Sequence, residues 1–513
     1  MKTIGIICEY NPLHKGHARQ LRLARELAGE DCAVVCLMSG NYVQRGAPAI
    51  FPKAIRAEAA LRCGADLVLE LPLTAALSSA EGFAAGGVRI LTALGCDGLC
   101  FGTETEDPAL LRRSAEANLD PAFDELLRRE LKSGCSYAAA RQRALTALGA
   151  GEGVSSPNDI LAVEYLKALL RQRSPMEPLP IHRPGSYHAE ALDPEAPSAT
   201  ALRAALASDC RGGHWPPAAP ACRGGHRPPE DAASARRGEH CSSAPADPLC
   251  RGGHRPPADP AAFQICHSEQ SEESASPVLP PRHSERSEES ASPVPISCHS
   301  ERSEESLSPV SVPLWLAAVP ACLHALYENA PLHTWQAGER AALAILRTLP
   351  DAAFRQLPFG AEGLWSKLMK NCRSRGSTEE ILQSTLSKRY ARPRIQRMLL
   401  CAVLGLRAED LARPAPYVRI LGFNPRGRVL LRGMKPRFPL VNAGERPADG
   451  AYYALECRAA ELYSLFSAEG PRPGGEEARQ RVRFFGAPDE AQSECCGNVK
   501  DPDPRLRKSG STD

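Results

Sequence analysis

With 513 residues, 62 Lys and Arg against 60 Asp and Glu, and a formal charge of +2, the chain can hold two or three sizeable cores and is too evenly charged to be a polyelectrolyte binder over its whole surface. The opening apolar run is a strand's length and stops at Glu9, and no uninterrupted apolar stretch reaches the roughly 18 residues of a membrane span. A soluble cytoplasmic protein, with no membrane and no obligate protein partner, is therefore expected. The 19 cysteines, in a chain without an export signal, are expected to be reduced. Cys32 with Cys36, and Cys96 with Cys100, have zinc-like spacing but lie in apolar segments without histidines beside them, so no metal site is expected.

Residues 2–8 (KTIGIIC) read as a buried strand, and residues 15–28 carry apolar side chains at helical spacing. The alternation continues with a strand at 32–38, a helix at 53–63, a strand at 65–72, a helix at 79–94 and a strand at 96–102. Continuous apolar strands separated by helices predict an α/β fold, a Rossmann-like parallel sheet covered on both faces. Ligands bind such sheets at the carboxyl ends of the strands.

From 209 to 310 the composition changes. CRGGH recurs at 210, 222 and 250, and an HSE-Q/R-SEES unit recurs at 267, 283 and 299. These units lack the apolar residues that stacked repeats would bury, so a disordered low-complexity insertion is expected. Helical patterning returns from about 313 to 410. It is interrupted near Pro350, has a capping box at Ser377-Thr-Glu-Glu380, and carries a basic-to-apolar run at 390–406. Residues 417–432 predict two strands around an Asn-Pro-Arg-Gly turn, residues 451–466 a helix, and the chain beyond Gly470 a fraying tail. The expected divisions are thus 1–208 (α/β), 209–310 (disordered insertion), 311–412 (a mainly helical domain), 413–469 (a small α/β segment) and 470–513 (a flexible tail).

The chemistry is densest at Glu9-Tyr-Asn-Pro-Leu-His-Lys-Gly-His17, between the first strand and the first helix. His14 and His17 lie one turn apart at a helix N-terminus, where free amides and the helix dipole favour an anion. Gly16 removes a side chain where phosphate oxygens approach. Imidazole N–H groups there can bind a phosphate as charge builds in its transition state. Later, Ser198, Thr200 and Arg203 open another helix, and Gln44, Arg45, Lys53 and Arg56 are further candidates for the pocket.

The 9–17 element resembles that of the HIGH-type nucleotidyltransferase superfamily. Met38-Ser-Gly-Asn-Tyr-Val-Gln-Arg-Gly46, Gly64-Ala-Asp-Leu-Val-Leu-Glu-Leu-Pro72, Phe101-Gly-Thr-Glu104, Pro157-Asn-Asp-Ile-Leu161, Ser198-Ala-Thr-Ala-Leu-Arg203 and Lys388-Arg-Tyr-Ala-Arg-Pro-Arg-Ile-Gln-Arg397 are similar to segments of the bacterial tRNA(Met) cytidine acetate ligase family. The resemblance covers about 1–208 and 311–466. It implies a nucleotidyltransferase ATP-binding domain at 1–208 and a ligase that makes acetyl-adenylate from acetate and ATP. The acetyl group then passes to N4 of the wobble cytidine of elongator tRNA(Met), giving N4-acetylcytidine. It further implies His14 and His17 as catalytic residues and an ATP site of Ile7, Cys8, Glu9, Tyr10, Asn11, Pro12, Leu13, His14, Lys15, Gly16, His17, Ala18, Arg19, Gln20, Gly102, Asn158 and Arg183. Mg²⁺ is expected to accompany ATP. Lys388, Arg389, Arg392, Arg394 and Arg397, with Tyr390 among them, are the expected tRNA-binding cluster. Two other readings stay open at this stage: a small-molecule adenylyltransferase, and a non-catalytic RNA-binding protein with a relict nucleotide site.

Overall fold

The four strands expected in the first hundred residues form and share one sheet, joined by strands from later in the chain, most of which the apolar runs did not announce; a small hairpin stands apart. In chain order these are β1 (Thr3–Cys8), β2 (Ala33–Ser39), the small hairpin of β3 (Tyr42–Val43) and β4 (Ala47–Pro48), β5 (Leu67–Leu71), β6 (Gly98–Thr103), β7 (Glu177–His182), β8 (Val418–Phe423), β9 (Leu440–Asn442) and β10 (Arg483–Phe484). This computed structural model describes residues 1–135, 137–150, 154, 156–183, 192–194, 197–211, 313–387 and 389–486. The expected repeat insertion lies outside the described residues except for its first three positions, and so does the chain beyond 486.

The eight-stranded sheet has the order β10-β8-β5-β2-β1-β6-β7, with β9 paired to β8. The run β5-β2-β1-β6-β7 is parallel throughout. Apart from the partly exposed edge strand β7, its strands read as continuous apolar runs because both faces are covered, and the pleat sorts alternate residues to opposite cores. Ile4, Ile6 and Cys8 of β1, with Val34, Cys36 and Met38 of β2, face one core. Val35 and Leu37 of β2, with Leu67, Leu69 and Leu71 of β5, face the other. The helix Ala80–Leu94 covers that second side. Ser79 caps its start and Gly95, in the left-handed region, closes its end. A third core is helical, built from segments between 342 and 406 with Tyr463, and it includes Tyr42, Leu73 and Leu77 from the N-terminal part.

Three expectations about the C-terminal part are corrected. Residues 417–432 are not two strands around a turn. They are β8 followed by the helix Pro425–Gly433, with Asn424 as N-cap (its side chain accepts from Gly427 N) and Pro425 in the first turn. Close packing enforces this: a Cβ at Gly427 would lie 1.9 Å from the Asp66 carbonyl oxygen, and Asn424 Nδ2 donates to Asp66 Oδ1 at 2.8 Å. Nor does β8 belong to a separate small segment. It pairs antiparallel with β5 and covers that edge of the sheet. Residues 470–486 do not fray. They form the short helix Glu476–Arg479 and β10, which pairs with β8. All described residues fall within one compact unit.

A buried charge network fastens this segment. Lys53 Nζ lies 2.9 Å from Glu70 and 2.8 Å from Glu477. Arg419 Nε reaches Glu456 at 2.9 Å and Glu477 at 3.1 Å, and Tyr417 donates to Glu456 at 2.6 Å. Burial and the nearby Glu70 push Glu456 up to about 7.

His333 gives a separate, acid-sensitive element. It is buried, stacks on Tyr463 with ring centroids 4.0 Å apart, and its Nδ1 lies 3.3 Å from the Pro331 carbonyl. Burial lowers its pKa to about 3, below the roughly 6.5 of an unfolded chain. Between those values the unfolded state binds the extra proton, so this contribution to stability is lost as pH falls from about 6.5, at up to ~1.4 kcal/mol per pH unit. Glu456 tilts the other way, but it is present in both proteins of the comparison. His333→Phe keeps the ring stack and should flatten the fall in urea midpoint between pH 7 and pH 5. Equal pH dependence in parent and variant would remove His333 as the cause.

Candidate active site

The carboxyl ends of β1 and β6 open onto a cavity of about 670 Å³. Several elements build its wall. The β1 exit contributes Ile7, Cys8, Glu9, Tyr10 and Asn11, and the helix Lys15–Ala28 contributes Gly16, His17, Arg19 and Gln20 behind its capping residue His14. Gly102 of β6 is on the wall, and a Cβ there would meet nothing within 4 Å, which leaves that space to a ligand. Asn158 and Tyr165 come from the helix Pro157–Gln172, Arg183 from the end of β7, and Thr200 and Arg203 from the helix Ala199–Arg211. Phe83 and Phe101 supply apolar surface.

The two histidines are set by the helix start. Gly16 N donates to His14 Nδ1 at 3.1 Å, and His14 N donates to His17 Nδ1 at 3.4 Å, a reciprocal cap. The rings stack with centroids 3.9 Å apart. Burial, then the cationic Arg183 and Arg203, lower His17 to about 3. Burial, then His17 and the same arginines, hold His14 well below its usual range. Both imidazoles are therefore neutral at pH 7. Because a backbone N–H can only donate, each Nδ1 is the unprotonated nitrogen, and each Nε2 carries the proton. The site offers two neutral N–H donors beside a helix N-terminus.

The cationic side chains near them are held by backbone. Arg203 Nη1 donates to the Asn11 carbonyl at 2.7 Å, and Arg183 Nη2 donates to the Pro197 carbonyl at 3.1 Å. Asn158 Nδ2 donates to Glu104 at 2.9 Å, and buried Asp159 accepts from the backbone of Glu104 and Thr105, which fixes the helix start to the β6 exit. Glu9 is the one carboxylate on the wall among the described residues. Its Oε1 accepts from Gln44 N at 2.6 Å, and burial raises its pKa.

Not every expected residue lies on the wall. Leu13 is buried and bonded through its backbone to Tyr327. Pro12, Lys15 and Ala18 also do not line the cavity, although Lys15 N donates to the Ala318 carbonyl. Gln44 and Arg45 do line it, whereas Lys53 and Arg56 do not. Lys53 is committed to Glu70 and Glu477. Arg56 is a buried clamp that donates to the carbonyls of Phe51, Glu9, Ser39 and Gly40, holding the exits of β1 and β2 together.

The basic cluster divides. Lys388 lies outside the described residues. Arg389 pairs with Glu362 and Arg392 with Glu379, both near the surface. Arg394 donates to the Phe359 carbonyl and lies over Tyr390, while Arg397 lies over Phe359 and donates to the Gln44 carbonyl at 3.4 Å. Arg392, Pro393 and Gln396, from the helix Arg392–Leu404, also line the cavity. No local pattern announces that contact, because it joins segments far apart in the chain.

Among the described residues, no group of three or more His, Cys, Asp or Glu is placed to hold a metal ion, and no helix is long and apolar enough to cross a membrane.

Known proteins share this architecture. The tRNA(Met) cytidine acetate ligase of Acetivibrio thermocellus is 29% identical over 459 residues, covering 86% of this chain and 88% of that protein. The enzyme of the same name from Syntrophotalea carbinolica is 44% identical over 216 residues, covering 40% of this chain and 51% of that one. The crystal structure of Thermotoga maritima TmcAL bound with alpha-thio ATP matches the fold with a TM-score of 0.67 at 24% identity, covering 95% of this chain and 100% of that one. Residues 1–221 and 283–476 match the family described as HIGH Nucleotidyl Transferase, and this chain belongs to that family.

Proposed function

We propose that this protein is a tRNA(Met) cytidine acetate ligase. It activates acetate with ATP, releasing pyrophosphate, and passes the acetyl group to N4 of the wobble cytidine of elongator tRNA(Met). The observation that carries the reading is the pair of neutral imidazoles, His14 and His17, whose Nε2–H donors share one cavity with Arg183 and Arg203. Preorganised donors of this kind stabilise charge as it develops on a phosphate. The relatives' names supply the acceptor.

In the first step an acetate oxygen attacks the α-phosphorus of ATP, and the bond to the bridging oxygen breaks with loss of pyrophosphate. In the second, the N4 lone pair attacks the acyl carbon, the bond from that carbon to the AMP oxygen breaks, and N4 gives up one proton to solvent. ATP lies against Gly102 and Asn158. Mg²⁺ would neutralise the triphosphate; among the described residues Glu9 is the one carboxylate on the wall, and it already accepts from Gln44 N, so it is the group that would help hold the ion beside the phosphates. Arg389 and Arg392 reach the RNA backbone, in competition with Glu362 and Glu379. The enzyme works in the cytoplasm.

The test measures ATP–pyrophosphate exchange with and without acetate, in the absence of tRNA, followed by transfer of labelled acetate to elongator tRNA(Met). Exchange that requires acetate, and label in that tRNA, are expected. Exchange indifferent to acetate would return the protein to the small-molecule adenylyltransferases.

A further inference from the structure

The helix Arg392–Leu404 reaches the cavity by a close backbone approach. Gly46, at φ +78°, sits against it so tightly that a Cβ would lie 2.5 Å from Arg397 N and 2.6 Å from the Gln396 carbonyl carbon. The Gln44 carbonyl accepts from Arg397, and Gln44 N donates to Glu9 Oε1. One short loop thus ties the helix start to the strand exit that carries the histidines.

Two carboxamides stand at this junction, those of Gln44 and Gln396, and both line the cavity. Several other polar side chains on the wall are engaged: Asn11 Oδ1 accepts from Ile50 N at 2.7 Å, Asn158 donates to Glu104, and Arg392 pairs with Glu379. Neither glutamine side chain makes a hydrogen bond among the described residues. A carboxamide offers a donor pair beside an acceptor. Cytosine presents acceptors at N3 and O2 next to the N4 amine, whereas uracil carries a hydrogen on N3. Unstacked RNA bases are read on this edge.

We propose that Gln396, with Gln44, forms the subsite that receives the acceptor base. Their amide N–H groups donate to N3 and O2 of the cytosine and so orient N4 toward the acyl carbon. The proposal rests on the ligase reading, and it assigns the start of this helix to base selection rather than to ATP.

Gln396→Ala and Gln44→Ala in the full chain test it. Three quantities are measured: acetate-dependent exchange without tRNA, kcat/KM for acetyl transfer to tRNA, and the inhibition constants of tRNAs bearing cytidine or uridine at the wobble position. For Gln396→Ala the ratio of transfer to exchange should fall about tenfold, the order of one lost hydrogen bond, and the preference for wobble cytidine should shrink toward unity. Gln44→Ala should move both in the same direction. Transfer and exchange falling in parallel, or an unchanged cytidine preference, would overturn the subsite while leaving the ligase reading intact. Wild-type protein that exchanges but acetylates no tRNA would overturn the ligase reading and the subsite with it.

Discussion

His17→Ala is expected to lower acetate-dependent ATP–pyrophosphate exchange by about 10²–10³, the usual loss on deleting one preorganised donor, with the melting temperature nearly unchanged. The separation follows from the site. His17 lies at the third position of its helix, and its ring accepts one long hydrogen bond, 3.4 Å, from His14 N. Its removal therefore leaves the fold's main contacts in place. His14→Ala is a less clean experiment, because His14 is buried and its ring also caps the helix by accepting from Gly16 N; about 1 kcal/mol of stability should go with the activity. His17→Asn restores an N–H donor and should recover part of the rate. Because burial and the arginines place the His17 pKa at about 3, the imidazole stays neutral from pH 8 to pH 5. The free enzyme should show no step in kcat/KM for ATP near pH 6.5 from this residue. Exchange within a few-fold of wild type in His17→Ala would take the residue out of the mechanism.

The largest stability effect should come from Lys53→Met. Lys53 is buried between Glu70 and Glu477, which bind it at 2.9 and 2.8 Å. Burial by itself would lower its pKa, but Glu477 and Glu70 outweigh that and raise it, so the ammonium is charged throughout the working range. Deleting it leaves Glu70 without its ion-pair partner, and Glu477 and Glu456 with Arg419 alone in contact; breaking a buried pair from one side costs about 3–5 kcal/mol. Urea unfolding at pH 7 measures the loss. Limited proteolysis should also begin near residues 470–475 in the variant, since Glu477 fastens that segment to the body. Glu70→Gln added to Lys53→Met should recover part of the stability by removing one uncompensated charge. A loss below about 1 kcal/mol would mean that solvent reaches the network and that apolar contacts of β10 hold the segment.

What was legible in the linear chain is what short-range physics governs. Apolar runs of strand length, such as 32–38, and helical spacing, such as 15–28, reflect hydrogen bonding and burial within a few residues, and both elements form as expected. The start of the first helix was legible for the same reason: His14, Gly16 and His17 lie within a single turn, although the capping role of the His14 ring was not. Ser377 likewise caps the helix Thr378–Thr385, with its side chain accepting from Glu380 N.

The failures occur where a distant segment outweighs local preference. Asn-Pro-Arg-Gly resembles a hairpin turn, but Asp66, brought alongside by β5, bonds Asn424 and turns the following residues into a capped helix. Residues 470–486 are polar and rich in glycine and proline, which suggests fraying, yet Lys53 and Arg419 supply buried partners for Glu477. Lys53 and Arg56 have the residue types of a phosphate site, and neither lines the cavity. Charge and donor count can be read along a chain, but whether a cation faces a ligand, a carboxylate or a set of carbonyls depends on which strands and helices converge around it. The same holds for Arg392 and Gln396. Their place beside the histidines depends on Gly46 lacking a side chain where two backbones meet, a contact that chain folding alone creates.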